Sequence, residues 1–330
     1  MVMMIAASLC GASNATEFAL FAHERKPALS RLIDYDVAPS HDTFSRLLRL
    51  LDPQAFGRAF AAFAAAFARA GQEMPEVVSL DGKALRRAYE KGLAASPPLT
   101  VSAFAAETRL CLAAVSPSDG ENEVEAALKV VELIDLTGRL VTADALHCHT
   151  RMAEAITQRG GDYLLTLKGN RRHWQRSANQ HLANTIPSIA ERVEISHGRN
   201  EWRKAEIVAA DEPLMPGHQA FIRITSRRDQ AKPLTRLFMT STLLSPQQAL
   251  ELTRAHWQIE NSLHWMLDVH LDEDLSRARK DNAPANTALL NRLARNILQA
   301  ADDAKVPISH RIKKCAWNDD YLIHAIAHMR

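Results

Sequence analysis

Three acidic residues stand where carboxylates could do chemistry: Asp81, Asp144 and Glu260. Asp81 ends the apolar run VVSL and is followed at once by Gly82, and Asp144 holds the same place in LVTADAL. A carboxylate at the end of a central strand points into the crevice where open α/β sheets bind ligands. Each also has a plain structural reading. Asp-Gly pairs commonly start turns, and Asp144 could cap the helix that follows. Glu260 lies in a helical stretch where His256, Glu260, His264 and Asp268 recur at steps of four, one polar stripe on an otherwise apolar segment. Such a stripe is usually a solvated face. Here Trp257 and Trp265 flank it one position further on, a costly pair to leave in water, so the stripe is expected to face a site.

Carboxylates brought together repel. At about 4 Å and an effective dielectric near 20, each ionised pair costs roughly 4 kcal/mol. Protons or cations must offset that, and Mg²⁺ or Mn²⁺ suits oxygen ligands. Two such ions about 4 Å apart can activate a water or a 3′-hydroxyl and stabilise the leaving oxygen in phosphoryl transfer. No other cluster competes with this one. His147 and His149 flank Cys148, but the ligand spacing of a closed zinc site is absent.

The elements that must position these groups can be read from periodicity. Residues 1–73 read as a small helical domain: PSHDTFSRLLRLLDPQAF opens on cap candidates, and AFGRAFAAFAAAFARA is a strong helix former. After Met74-Pro75 the texture changes. EVVSLDG, TVSAFAAE and LCLAAVSP read as strands, ENEVEAALKVVELIDL as a helix, RLVTADAL as a strand, TRMAEAITQRG as a helix and DYLLTLKG as a strand. Three strands followed by two right-handed crossovers predict a mixed five-stranded α/β sheet of ribonuclease-H-like layout across residues 74–330. From about 170 to 245 the pattern reads as a β-rich insertion behind one helix. A long helix is expected from Ser245-Pro246 through HWQIENSLHWMLDVHL.

Net charge is only +2, so global charge does not announce a nucleic-acid binder. Between Lys168 and Arg236, however, 13 Lys or Arg face 7 Asp or Glu, an imbalance that suits either a solvated surface or a phosphate footprint. Lys83 and Arg86 follow Asp81 closely and are candidates for holding phosphates, with a surface pair as the alternative. Lys168 ends a strand at a Gly-Asn turn and is a candidate DNA contact. His197, Arg199, Glu201 and Arg203 alternate with period two and would share one face of a strand, either facing DNA or lining an exposed hairpin. Cys10, Cys111, Cys148 and Cys315 are scattered without a CxxC pair, which fits a reducing cytoplasm. The opening MVMMIAASLCG lacks the basic leader of a signal peptide, and no run reaches the roughly 18 apolar residues of a membrane span.

SLDGKALR, VTADALHCHTRMAEAITQRGGDYLLTLKGN and HWQIENSLHWMLDVHLDED together resemble the catalytic blocks of DDE insertion-sequence transposases. The likeness is to the branch that includes the H-repeat-associated proteins. PSHDTFSRLLRLLDP resembles the amino-terminal domain of that branch, and HGRNEWR its insertion motif. The resemblance implies Asp81, Asp144 and Glu260 as catalytic and metal-binding triad, with His256, Asn261, His264 and Asp268 beside Glu260. It also implies two Mg²⁺ or Mn²⁺ ions, DNA as partner, and a homodimer on DNA. Better-studied relatives carry Tyr and Arg seven and four positions before the catalytic Glu, and Lys seven after; here Thr253, His256 and Leu267 stand there. Members of the branch usually carry a further stretch before the segment equivalent to MVMMIAASLCG, so either a shortened start or a start placed at the wrong codon is expected here. A nuclease of the same fold and a non-catalytic DNA-binding remnant are the alternative readings.

Overall fold

The computed structural model describes residues 1–67, 76–88, 97–196, 199–301 and 306–327. The chain opens with α1 (Val2–Leu9), α2 (Ala15–Glu24), the short α3 (Lys26–Leu29), α4 (His41–Leu50) and α5 (Pro53–Phe67). Side-chain caps start three of them, Asn14 accepting from the Glu17 N–H, Ser40 from the Thr43 N–H and Asp52 from the Gln54 and Ala55 N–H groups. These helices build no core of their own. Met4, Leu9, Phe18, Phe44 and Phe60 pack into one cluster with Leu290, Ile297, Cys315 and Leu322 of α11 (Ala283–Ala300), α12 (Ile308–Trp317) and α13 (Asp319–Ala327).

Strands β1 (Glu76–Ala84), β2 (Leu99–Ala105) and β3 (Leu110–Val115) form an antiparallel meander. Helix α6 (Glu123–Glu132) leads to β4 (Arg139–Ala143), and α7 (Thr150–Gln158) to β5 (Asp162–Leu167), both strands running parallel to β1. The order β3-β2-β1-β4-β5 is the ribonuclease-H-like arrangement expected from the strand and helix pattern. The sheet is larger than expected, though. After α8 (Arg172–Asn184), strands β6 (Ser188–Ser196), β7 (Arg199–Ala209), β8 (Ala220–Arg228) and β9 (Leu234–Thr240) form a meander whose last strand pairs antiparallel with β5. One continuous sheet of nine strands results, order β3-β2-β1-β4-β5-β9-β8-β7-β6. β5 had a free edge, and unpaired backbone groups there are met by the insertion's own returning strand.

The long helix expected after Ser245 is broken. Helix α9 (Pro246–Ala255) starts on a reciprocal cap between Ser245 and Gln248 and stops before His256. A π-helical turn (Ile259–His264) follows, with the Trp265 N–H donating to the Glu260 carbonyl, and α10 (Trp265–His270) continues from it. The reason is in the pattern. Ile259, Leu263, Leu267 and Leu271 are all buried at steps of four, and an α-helix rotates such a stripe by about 40° per step. One wide turn holds the stripe on the core. π-turns of this sort occur often at functional sites. No helix among the described residues is long and apolar enough to cross a membrane.

Candidate active site

Strands β1 and β4 run parallel in register, Leu80 opposite Ala143. Asp81 and Asp144 are therefore the next residues along each strand and stand at the same level, on neighbouring strands of one sheet. The Asp81 carboxylate accepts from the Gly82 N–H at 3.0 Å, and that of Asp144 from the Leu146 N–H at 2.8 Å. The π-turn packs against β1 and brings Glu260, an exposed residue, to this end of the sheet. Burial pushes the Asp81 carboxyl up to about 7; the Gly82 N–H opposes this, and the charges of Glu260, Asp144 and Glu123 add to the rise. Three further carboxylates thus act on Asp81 through space.

Glu123 was missed in the sequence. It is the first residue of α6, capped by Asn122, whose side chain accepts from the Val124 and Glu125 N–H groups. The available signal was an Asn-Glu helix start directly after the meander, since β3 runs in the same direction as β1 and so ends, with the start of α6, beside the ends of β1 and β4. Histidines line the same region. His256 Nδ1 lies 3.0 Å from the Thr142 hydroxyl, which donates to Ser79 at 3.1 Å on β1. Burial lowers His256 to about 4, with Asp144 opposing the shift. His264 Nδ1 approaches Asp81 Oδ2 at 3.5 Å, but burial lowers that imidazole to about 3, so at neutral pH the contact is not an ion pair. His149 is a helix cap, Nδ1 accepting from the Met152 N–H.

The other candidate residues divide. Asn261 is exposed beside Glu260. Asp268 turns instead to Lys83, whose Nζ lies 2.6 Å from Asp268 Oδ1 and 3.0 Å from Asp274 Oδ1. Lys83 is 7% exposed, so the expected phosphate contact is corrected: its charge is consumed in tying β1 to the segment after the π-turn. Arg86 remains 78% exposed, with only a 3.4 Å contact to Asp274. Lys168 is exposed where β5 ends, and the neighbouring Asn170 donates to the Ala145 carbonyl at 2.7 Å, tying that turn to the Asp144 loop. Arg203 is corrected as well. It is buried, donates to the Thr253 hydroxyl at 3.0 Å, and its face of β7 continues through Ala205 and Ile207 into the core against α9. Arg199 begins β7, and His197 lies outside the described residues. Trp257 and Trp265 remain exposed on either side of Glu260, with the Arg236 guanidinium 5.0 Å from the Trp257 ring centre.

Beneath the site sits a buried ion pair. Arg292 of α11 donates to Glu273 at 2.8 Å with both side chains fully buried, and its Nε donates to Ser102, the β2 residue opposite Asp81. Among the described residues no group of three or more His, Cys, Asp or Glu side chains is already arranged to hold a metal ion. Asp81 and Asp144 are instead turned onto backbone N–H groups, as repelling carboxylates would be.

This chain matches the family described as Transposase DDE domain over residues 75–297, and the domain associated with it over residues 1–64. It belongs to the DDE transposase family. YncI of Escherichia coli O157:H7, by its name a candidate transposase, is 30% identical over 98% of this chain and 87% of its own length. The H repeat-associated candidate transposase YhhI of Escherichia coli K12 is 26% identical over 99% of this chain and 91% of its own. A protein from the dhlA 3′ region of Xanthobacter autotrophicus is 36% identical over 63% of this chain and 74% of its own. The solved piggyBac transposase synaptic complex with hairpin DNA aligns at 11% identity and a TM-score of 0.46, over 100% of this chain and 71% of that one. The transposase assignment therefore stands on the family and on full-length relatives, and the sheet order agrees with it.

Proposed function

We propose that this transposase hydrolyses phosphodiester bonds at the ends of its own insertion sequence and joins those ends to target DNA. Asp81, Asp144 and Glu260 are the reacting carboxylates. The observation that carries the reading is their convergence: the parallel pairing of β1 and β4 ends at Leu80 and Ala143 with an Asp next on each, and a π-turn delivers Glu260 charge to the Asp81 carboxyl. The donor set is all oxygen, which fits Mg²⁺ or Mn²⁺, and a raised Asp81 pKa is what cation binding would relieve. When bound, two such ions supply an activated oxygen nucleophile and stabilise the leaving oxygen.

The residues of the chain do the rest. Asp81 and Asp144 each hold one carboxylate oxygen, Oδ1, on the Gly82 and Leu146 N–H groups, which leaves Oδ2 to bind. Neutral His256 and His264 support the site without adding positive charge. Lys168, Arg86 and Arg199 are the cations assigned to DNA phosphates, and Trp257 with Trp265 offers flat surface beside the reacting strand. Residues 1–73 and 74–330, with the insertion at about 170–245, are assigned as the two parts of the protein. Two copies are assigned to hold the two ends of one element in the reducing cytoplasm.

The test uses a labelled fragment carrying the DNA that flanks the gene, a target plasmid and Mn²⁺. Wild type should give strand-transfer products, and Asp144→Asn should lose at least about a thousandfold of the rate, about 4 kcal/mol of barrier, while still binding DNA without metal. Cleavage without joined products would mark a nuclease instead. Neither product, with DNA binding intact, would mark a remnant.

A further inference from the structure

Glu123 sits closer to the heart of the site than its place at a helix start requires. A Cβ on Gly82 would lie 2.5 Å from Glu123 Oε1, so the carboxylate covers the backbone immediately after Asp81. Position 82 therefore has no room for a side chain while Glu123 holds this place. A second observation points the same way from the other side. His147 is 1% exposed, neither of its ring nitrogens has a hydrogen-bond partner, and its Nε2 lies 3.6 Å from Glu123 Oε1. A buried imidazole with both nitrogens unpartnered leaves donor or acceptor capacity unmet, which is costly unless something completes the site. Its neighbours are site residues, His256 among them.

We propose that Glu123 is a fourth acidic group of the metal site, supplying a carboxylate for a hard divalent cation, with His147 as the buried group that orients it. The inference rests on the assignment of Asp81, Asp144 and Glu260 as the other ligands. Two such ions, each with about six oxygen positions, leave room beside three carboxylates for water, substrate and a fourth carboxylate on the α6 side of Asp81. A histidine behind a ligating carboxylate fixes its orientation, and losing such support typically lowers metal affinity by about ten- to a hundredfold.

The experiment is calorimetric titration of the full-length protein with Mn²⁺ alone, without DNA and without turnover. Glu123→Gln keeps the size and the helix start while removing the charge. It should weaken Mn²⁺ binding by about tenfold or more, with Asp144→Asn weakening it in parallel. Unchanged binding in Glu123→Gln beside weakened binding in Asp144→Asn overturns the proposal and leaves the triad standing. Unchanged binding in both overturns the triad, and the fourth group with it. Were Glu123→Gln to lose the fold by circular dichroism, Gly82→Ala would decide in its place. That variant keeps every carboxylate but drives a methyl group into the position of Glu123 Oε1; it too should weaken Mn²⁺ binding about tenfold, and unchanged affinity there overturns the proposal.

Discussion

Strands β2 and β3 are buried along almost their whole length, whereas β6, at the opposite edge of the same sheet, leaves Ile189, Val193 and Ile195 exposed. The β3 edge is also closed off: the Asn296 side chain of α11 accepts from the Cys111 N–H and donates to the Cys111 carbonyl, standing in for a missing strand. β6 has no such cover among the described residues. Cations differ in the same sense. On the β2 side Arg292 and Arg295 are fully enclosed, while on the β6 side Arg192 and Arg254 meet Glu194 half in water. One half of the sheet is held rigid on both faces and carries the carboxylates at its strand ends. Along β6 the other half keeps Arg192, Arg254 and Glu194 in surface pairs, which are individually weak.

The largest blow to that contrast should come from Arg292→Met. It leaves Glu273 buried without its partner and frees Ser102 behind Asp81, so we expect a loss of about 3–5 kcal/mol, read from the denaturant midpoint. Arg292→Met combined with Glu273→Leu should recover most of it, because a buried pair replaced by apolar groups is often neutral. No loss in the single variant would show that the β2 side is not the rigid half.

A smaller effect of opposite sign is expected at Asp81. Its folded pKa of about 7 lies above the ordinary value of 3.8, so the folded state holds a proton that the unfolded state releases. Stability from this group is therefore present at low pH and lost as pH rises through about 7. Without metal, Asp81→Asn should match wild type near pH 3 and exceed it above pH 8, by an amount on the order of a few kcal/mol. The buried histidines slope the other way in both proteins, since His256 and His264 are held neutral to about 4 and 3, and they cancel in the difference. A pH-independent difference between the two melting curves would remove the carboxylate convergence from the site.

The smallest effects separate two cations that looked alike in sequence. Lys168→Ala should lower the log–log salt slope of duplex binding by about 0.9 and leave stability unchanged. Arg203→Ala should leave that slope unchanged and cost about 1–2 kcal/mol of stability, the loss of a buried hydrogen bond to Thr253. A reversal of the two outcomes would move the DNA path onto the α9 face.

Periodicity carried much of this protein without a structure. The meander, the two crossovers and the β-rich character of the insertion were legible because alternation and helical spacing report burial directly, and the placement of Asp81 and Asp144 was legible because each closes an apolar run. The family resemblance added Glu260, whose step-of-four stripe alone also fitted a solvated face. What sequence spacing could not supply was where each charge goes. Lys83 and Arg203 read as free cations, and only packing shows one clamped between Asp268 and Asp274 and the other folded under α9. The π-turn was implicit in Ile259, Leu263, Leu267 and Leu271, yet it takes the core behind them to make a stripe at steps of four worth a widened turn. Glu123 is separated from Asp81 by two strands and their connections, and only the pairing of β2 and β3 with β1 sets the start of α6 over Gly82. Local pattern determines elements because burial is periodic along the chain; partners are decided in three dimensions because charge pairs across it.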